Sequence, residues 1–171
     1  VTVDAIPAGP INWVRGWDLA SVTDDGDYTA GPKLGKLADG RFIIADIVRD
    51  QYGPDTRDAA IRNTAVRDGK QVRISLPQDP GQAGKSQVLA FAALLAGHNV
   101  HFSTESGDKV TRADPFASQV NAGNVVMVRA PWNDAFTEEA KLFPNGKFDD
   151  QVDAVARGFN GLLGPSSGVF A

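Results

Sequence analysis

The chain has 171 residues, 42% of them hydrophobic, with a formal net charge of −4, two histidines and no cysteine. That is enough for one globular domain with a real core. It excludes disulfides, thiolate zinc sites and cysteine nucleophiles, and with only His98 and His101 as nitrogen donors any metal site rests mostly on oxygen ligands, which suit Mg²⁺, Mn²⁺ or Ca²⁺. The negative charge argues against a simple nucleic-acid coat protein, and any strong grip on DNA would need a local basic face or another domain.

No apolar run approaches the roughly 20 residues of a membrane span. The first ten residues lack a basic stretch followed by a long apolar one, so no secretory signal is expected. The chain begins with Val1 rather than Met, which suggests a piece of a longer protein.

In chain order, residues 1–12 read as a lead-in or linker, broken by Pro7, Gly9 and Pro10. Residues 13–20, short and aromatic, predict a first strand. An acidic turn with Asp24, Asp25 and Asp27 follows. Residues 28–37 and 41–49 predict two strands joined at Asp39-Gly40, a strong hairpin signal. A helix is predicted from Pro54, Asp55 or Thr56 to about Asp68, with Gly69 as its stop. Residues 71–76 alternate as a strand, and the turn at Asp79 comes next. Residues 86–96 predict a helix with apolar residues around most of its circumference, which implies deep burial. A strand at 99–103, a helix at 111–122 regular from Pro115, and a strand at 125–128 follow. A helix from Asn133 or Asp134 to Phe143 precedes a last helix at 149–163. Residues 164–171 read as a flexible tail. The domain proper is therefore 13–163. Its fold class is α/β: a mixed sheet of about five to six strands, opening with a three-stranded antiparallel meander, with helices on both faces.

Several positions could carry chemistry. Asp18 lies between Trp17 and Leu19 in an apolar strand, where a carboxylate is costly unless paired or coordinating; an edge position or an ion pair is the competing explanation. Asp79 follows a predicted internal strand, where ligands of open α/β sheets gather, although Asp is also common in such turns. Asp149, Asp150 and Asp153 crowd the first turn of the last helix. The helix dipole accounts for one or two of them; a third adds repulsion that a cation would relieve. Asp150 and Asp153 share a face. The run from Asp79 to Ser86 imitates a phosphate loop but has Asp79 where the motif demands its first glycine, so an ATP site is not expected. Lys85, Lys109 and Arg112 are candidates for DNA phosphate contacts, or else solvated surface charges. His98 and His101 read as surface or strand residues.

Taken together, the ordered stretches resemble the C-terminal nuclease domain of the large terminase subunit of tailed bacteriophages. They are Trp17-Asp18-Leu19-Ala20, Asp27-Tyr28-Thr29-Ala30-Gly31 with Lys33-Leu34-Gly35, Asp39-Gly40-Arg41-Phe42, Gln78-Asp79-Pro80-Gly81-Gln82-Ala83-Gly84-Lys85, Gly107-Asp108-Lys109 through Arg112 with Pro115-Phe116-Ala117, and Asp149-Asp150-Gln151-Val152-Asp153-Ala154. The resemblance implies an RNase H-like fold of the RuvC/integrase type. It also implies endonucleolytic cleavage of concatemeric double-stranded viral DNA with Mg²⁺ or Mn²⁺, two ions in all, about 3.5–4 Å apart as in two-metal sites. By the same resemblance, Asp18, Asp79 and Asp150 are catalytic metal ligands, with Asp153 and then Asp149 as further ligands. Many relatives carry a glutamate where this chain has Pro77. The implied partners are an ATPase domain in the full-length protein, the portal protein and the small terminase subunit. The implied setting is the host cytoplasm during virion assembly. A resolvase-type nuclease and a non-catalytic docking module for portal or small subunit are the alternatives.

Overall fold

The computed structural model describes residues 1–20 and 26–164. Asp24 and Asp25 of the acidic turn, and the tail beyond Gly164, lie outside the described residues.

Seven strands form one sheet in the order β1-β7-β4-β3-β2-β5-β6. Strands β2 (Asn12–Gly16), β3 (Thr29–Lys36) and β4 (Phe42–Asp50) are the antiparallel meander. Between β3 and β4, Gly40 adopts a φ of 89°, the left-handed turn conformation that glycine accepts without steric cost. The Arg41 amide donates to Asp39 Oδ1 at 3.0 Å and closes the hairpin. Strands β5 (Arg73–Pro77) and β6 (Val100–Ser103) extend the sheet in parallel beyond β2. On the other side β7 (Val125–Val128) runs parallel to β4. The seventh strand, β1 (Thr2–Val3), lies in the stretch read as a lead-in and pairs parallel with β7. At two residues it is too short to leave a sequence signature.

The helices are α1 (Pro54–Asp68), α2 (Gly81–Leu94), α3 (Lys109–Asn121), α4 (Asn133–Leu142) and α5 (Asp150–Leu163). Pro54 occupies the first turn of α1, where its missing N–H costs nothing. Helix α3 runs through Pro115 instead of starting there. It begins six residues earlier because the Asp108 side chain caps it, accepting from the Thr111 amide at 2.8 Å. Buried Ala113 and Phe116 hold it down.

Side chains alternate across each strand, so each face of the sheet has its own core. Val14, Leu34, Phe42 and Ile44 pack with Phe116, Phe136, Val155 and Phe159 from α3, α4 and α5. Trp17, Ile74, Leu76 and Val100 pack on the opposite face with Ile61 and Phe91 from α1 and α2. Helix α2 departs from expectation. It starts at Gly81 rather than near Ser86, and only Gly84 and Phe91 are buried along it, while Leu89 is 73% exposed. It covers the short edge formed by β5 and β6, and its outer apolar residues stay in solvent.

Candidate active site

The period-2 rule places Val14, Gly16 and Asp18 in line on the face of β2 that meets α5. Gly16 sets the spacing. A Cβ there would lie 2.6 Å from the Gly158 nitrogen and 2.7 Å from the Ala154 oxygen, so strand and helix touch backbone to backbone. Val14 sits near Gly161 on the same helix. The helix therefore runs antiparallel to the strand, and Asp18 faces its first turn.

Asp18 stands two residues past β2, still held by the sheet. Its amide donates to the Ala30 oxygen and its own oxygen accepts from the Ala30 amide, each at 2.9 Å. Its carboxyl is raised well above the ordinary carboxylate range. Burial is the main cause; the charges of Asp153, Glu105 and Asp150 add to it, and Arg157 opposes. Asp153 is pushed up to about 6, first by burial and then by Asp149, with Arg112 pulling the other way. Asp153 Oδ1 is buried with no hydrogen-bond partner. Among the described residues neither Asp18 nor Asp153 is in an ion pair, because the cations nearby are committed to Asp149, Asp150 and Glu105.

The other acids behave differently. Asp150 is buried, and both of its oxygens accept from Arg49, at 2.7 and 3.0 Å. The Arg49 guanidinium lies over the Tyr28 ring, 3.6 Å from its centroid. Asp149 is the N-terminal flanking residue of α5 and is paired with Lys109 at 2.7 Å. Its side chain does not cap the helix. That role falls to Glu139 of α4, which accepts from the Val152 amide at 2.9 Å and from Gln151 at 2.7 Å. Asp79 is exposed on the turn after β5 and is not among the charges that act most strongly on Asp18 or Asp153. Lys85 is exposed on α2, the helix of the opposite face. Arg112 pairs with Glu105.

A cleft of about 330 Å³ opens beside the acids, lined among others by Ser103, Glu105, Arg112, Asp153 and Arg157, with His101 at its wall. Glu105, Arg157, Arg49 and Glu139 escaped the sequence reading. Glu105 lies in a polar loop, and Glu139, though buried in the fold, sits in a stretch of charged residues that reads as an ordinary helix surface. Arg157 carried a faint signal, since it is four residues beyond Asp153 and thus on the same helical face.

The donor set fits hard divalent cations: carboxylate oxygens, one of them unpartnered, with no thiolate. Among the described residues no three Asp, Glu or His side chains stand close enough to hold an ion alone.

An Asp-bearing central strand crossed by an acidic helix, on a sheet with this strand order, defines an RNase H-like domain. Solved structures share the architecture. The chain is similar to the large terminase nuclease from the thermophilic phage G20c with bound zinc, at a TM-score of 0.68 and 15% identity over 94% of this chain and 92% of that one. A structure of that nuclease with bound cobalt gives 0.67 and 14% identity over the same shares. The Fowlpox virus resolvase, solved with Holliday junction DNA, gives 0.55 and 12% identity over 88% and 97%. No curated protein sequence matches the chain. Residues 15–161 match the terminase RNaseH-like domain, and the chain belongs to that family.

Proposed function

We propose that the chain is the metal-dependent endonuclease domain of a phage DNA-packaging terminase large subunit, hydrolysing phosphodiester bonds of concatemeric double-stranded DNA. The observation that carries this reading is the Asp18–Asp153 pair: a carboxylate just past β2 and one in the first turn of α5, both pushed up chiefly by burial, with the Asp153 charge adding to the rise at Asp18 and Asp153 Oδ1 left without a partner. The bound zinc and cobalt in the phage nuclease structures support a cation in a domain of this fold.

Asp18 and Asp153 are the residues we assign to hold Mg²⁺ or Mn²⁺, with Asp79, Asp150 and Asp149 as the remaining acids of the set. Of these, Asp150 is occupied by Arg49, and Asp79 stands in solvent. When bound, the ions supply Lewis-acid neutralisation of the reacting phosphate and of the leaving 3′ oxygen. The chain itself fixes the Asp18 backbone through Ala30 and keeps α5 in register against Gly16. It also stations Arg112, Arg157 and Lys109 where DNA phosphates would approach. In the full-length protein we place this domain beside an ATPase domain, with portal protein and small terminase subunit as partners in the host cytoplasm. Among the described residues no helix is long and apolar enough to cross a membrane.

The test is Mn²⁺-dependent cutting of linear duplex DNA. Asp18→Asn and Asp153→Asn should each lower the rate about 10³-fold, a loss of about 4 kcal/mol. Asp79→Ala should lower it less. Undiminished cutting by both Asn variants would sink the assignment, and preference for a four-way junction over linear duplex would favour the resolvase-type reading.

A further inference from the structure

Arg157 lies beside the acid pair with its side chain only 6% exposed. One guanidinium nitrogen donates to Ser103 Oγ at 2.7 Å and stands 3.4 Å from the Leu76 and Ser103 carbonyl oxygens. The other donates to Glu105 Oε1 at 2.7 Å. Arg112 approaches Glu105 Oε2 at 3.3 Å and is braced by a 2.7 Å hydrogen bond to the Gly107 oxygen. Two guanidinium groups anchored to the fold thus converge on the two oxygens of one anion, at the wall of the cleft that also holds Asp153.

That anion is poorly placed for stability. Glu105 belongs to an exposed loop beyond β6, and its side chain is 39% exposed. Its charge adds to the repulsion on Asp18 and on Asp153. A phosphodiester offers the same chemistry, two oxygens sharing one negative charge, and forked arginine donors match it. We propose that Arg112 and Arg157 form the seat for a backbone phosphate of the DNA strand lying next to the bond to be cut, and that Glu105 fills this seat until DNA displaces it. The location beside the scissile bond rests on the nuclease reading; the seat as an anion site does not. Glu105 is then a positioning and gating residue. It holds the two arginines apart from solvent anions and lets the acid pair shed a neighbouring charge when DNA binds.

The experiment is anisotropy of a short fluorescein-labelled duplex titrated with the full chain in EDTA, so that binding is read without cleavage. Glu105→Gln should bind about 3- to 10-fold more tightly, because the competitor for the seat is lost. Glu138→Gln removes the same charge from α4, outside the cleft, and should change affinity much less. In the Glu105→Gln background, Arg112→Ala should cancel the gain, and so should Arg157→Lys, which keeps the buried charge but loses the fork. Equal gains from Glu105→Gln and Glu138→Gln would overturn the proposal, as would a gain that survives Arg112→Ala. So would loss of Mn²⁺ binding by Glu105→Gln in calorimetry without tighter DNA binding, since that would make Glu105 a metal ligand. A chain that shows the predicted binding pattern yet never cuts DNA would leave the seat standing and remove the nuclease reading.

Discussion

Two charged clusters grow from the same strand three residues apart, and they are built in opposite ways. Arg15, 2% exposed, is fully matched: Asp68 accepts from it twice at 2.8 Å, Asp46 once at 2.9 Å, and the Gly31 oxygen at 2.7 Å. Asp18 is left with like charges around it, Asp153 among them, and Asp153 Oδ1 is buried without a partner. Burying charge is costly, and the Arg15 cluster offsets the cost with good geometry. The Asp18 cluster does not, and by position it occupies the end of the central strand rather than the middle of the fold. Charge that the fold needs is compensated within the chain; charge left uncompensated is available to a ligand that arrives later.

The contrast can be broken from either side. The largest stability loss is expected at the matched cluster. Arg15→Met leaves Asp68 with only the Lys33 amine, 3.8 Å away, and should cost about 3–5 kcal/mol, read as a lower urea midpoint. Next is the spacer between the clusters. Gly16→Ala has no room against Ala154 and Gly158 and should cost about 1–3 kcal/mol while misaligning Asp18 and Asp153, so cutting falls more than stability alone explains.

The unmatched cluster should respond with the opposite sign. The folded-state pKa of Asp153 is raised from 3.8 to about 6, so the folded protein holds a proton that the unfolded chain has lost between those values. Metal-free stability from this group is therefore fully present below about pH 4 and lost as pH rises through about 6. At pH 7 in EDTA, Asp153→Asn should raise stability by about 1–2 kcal/mol, less than the full shift implies because solvent screens this partly exposed group, and flatten that part of the pH profile.

The sequence reading recovered the meander, the parallel strands and all five helices because their patterns are local: Asp39-Gly40, Gly69, alternation in 71–76 and the apolar residues of 149–163. It missed Thr2–Val3, a strand defined only by its partner β7. It overestimated the burial of α2, since an apolar composition does not say how many neighbours a helix has. Asp18 and Asp153 were visible as misplaced acids. What could not be read was which acid already has a partner. Arg49 is about a hundred residues from Asp150, and Glu105 meets Arg157 from another element, so pairing of this kind is set by the fold and not by spacing.

The central claim is that the uncompensated acids form a cation site, and thermal unfolding under Mn²⁺ titration tests it most directly. A ligand that binds only the folded state raises Tm in a saturable way. The chain should gain stability with Mn²⁺, and the Asp18→Asn/Asp153→Asn double variant should start from a higher Tm in EDTA and gain nothing. An equal Mn²⁺-dependent rise in both proteins, or none in the unaltered chain, would contradict the account.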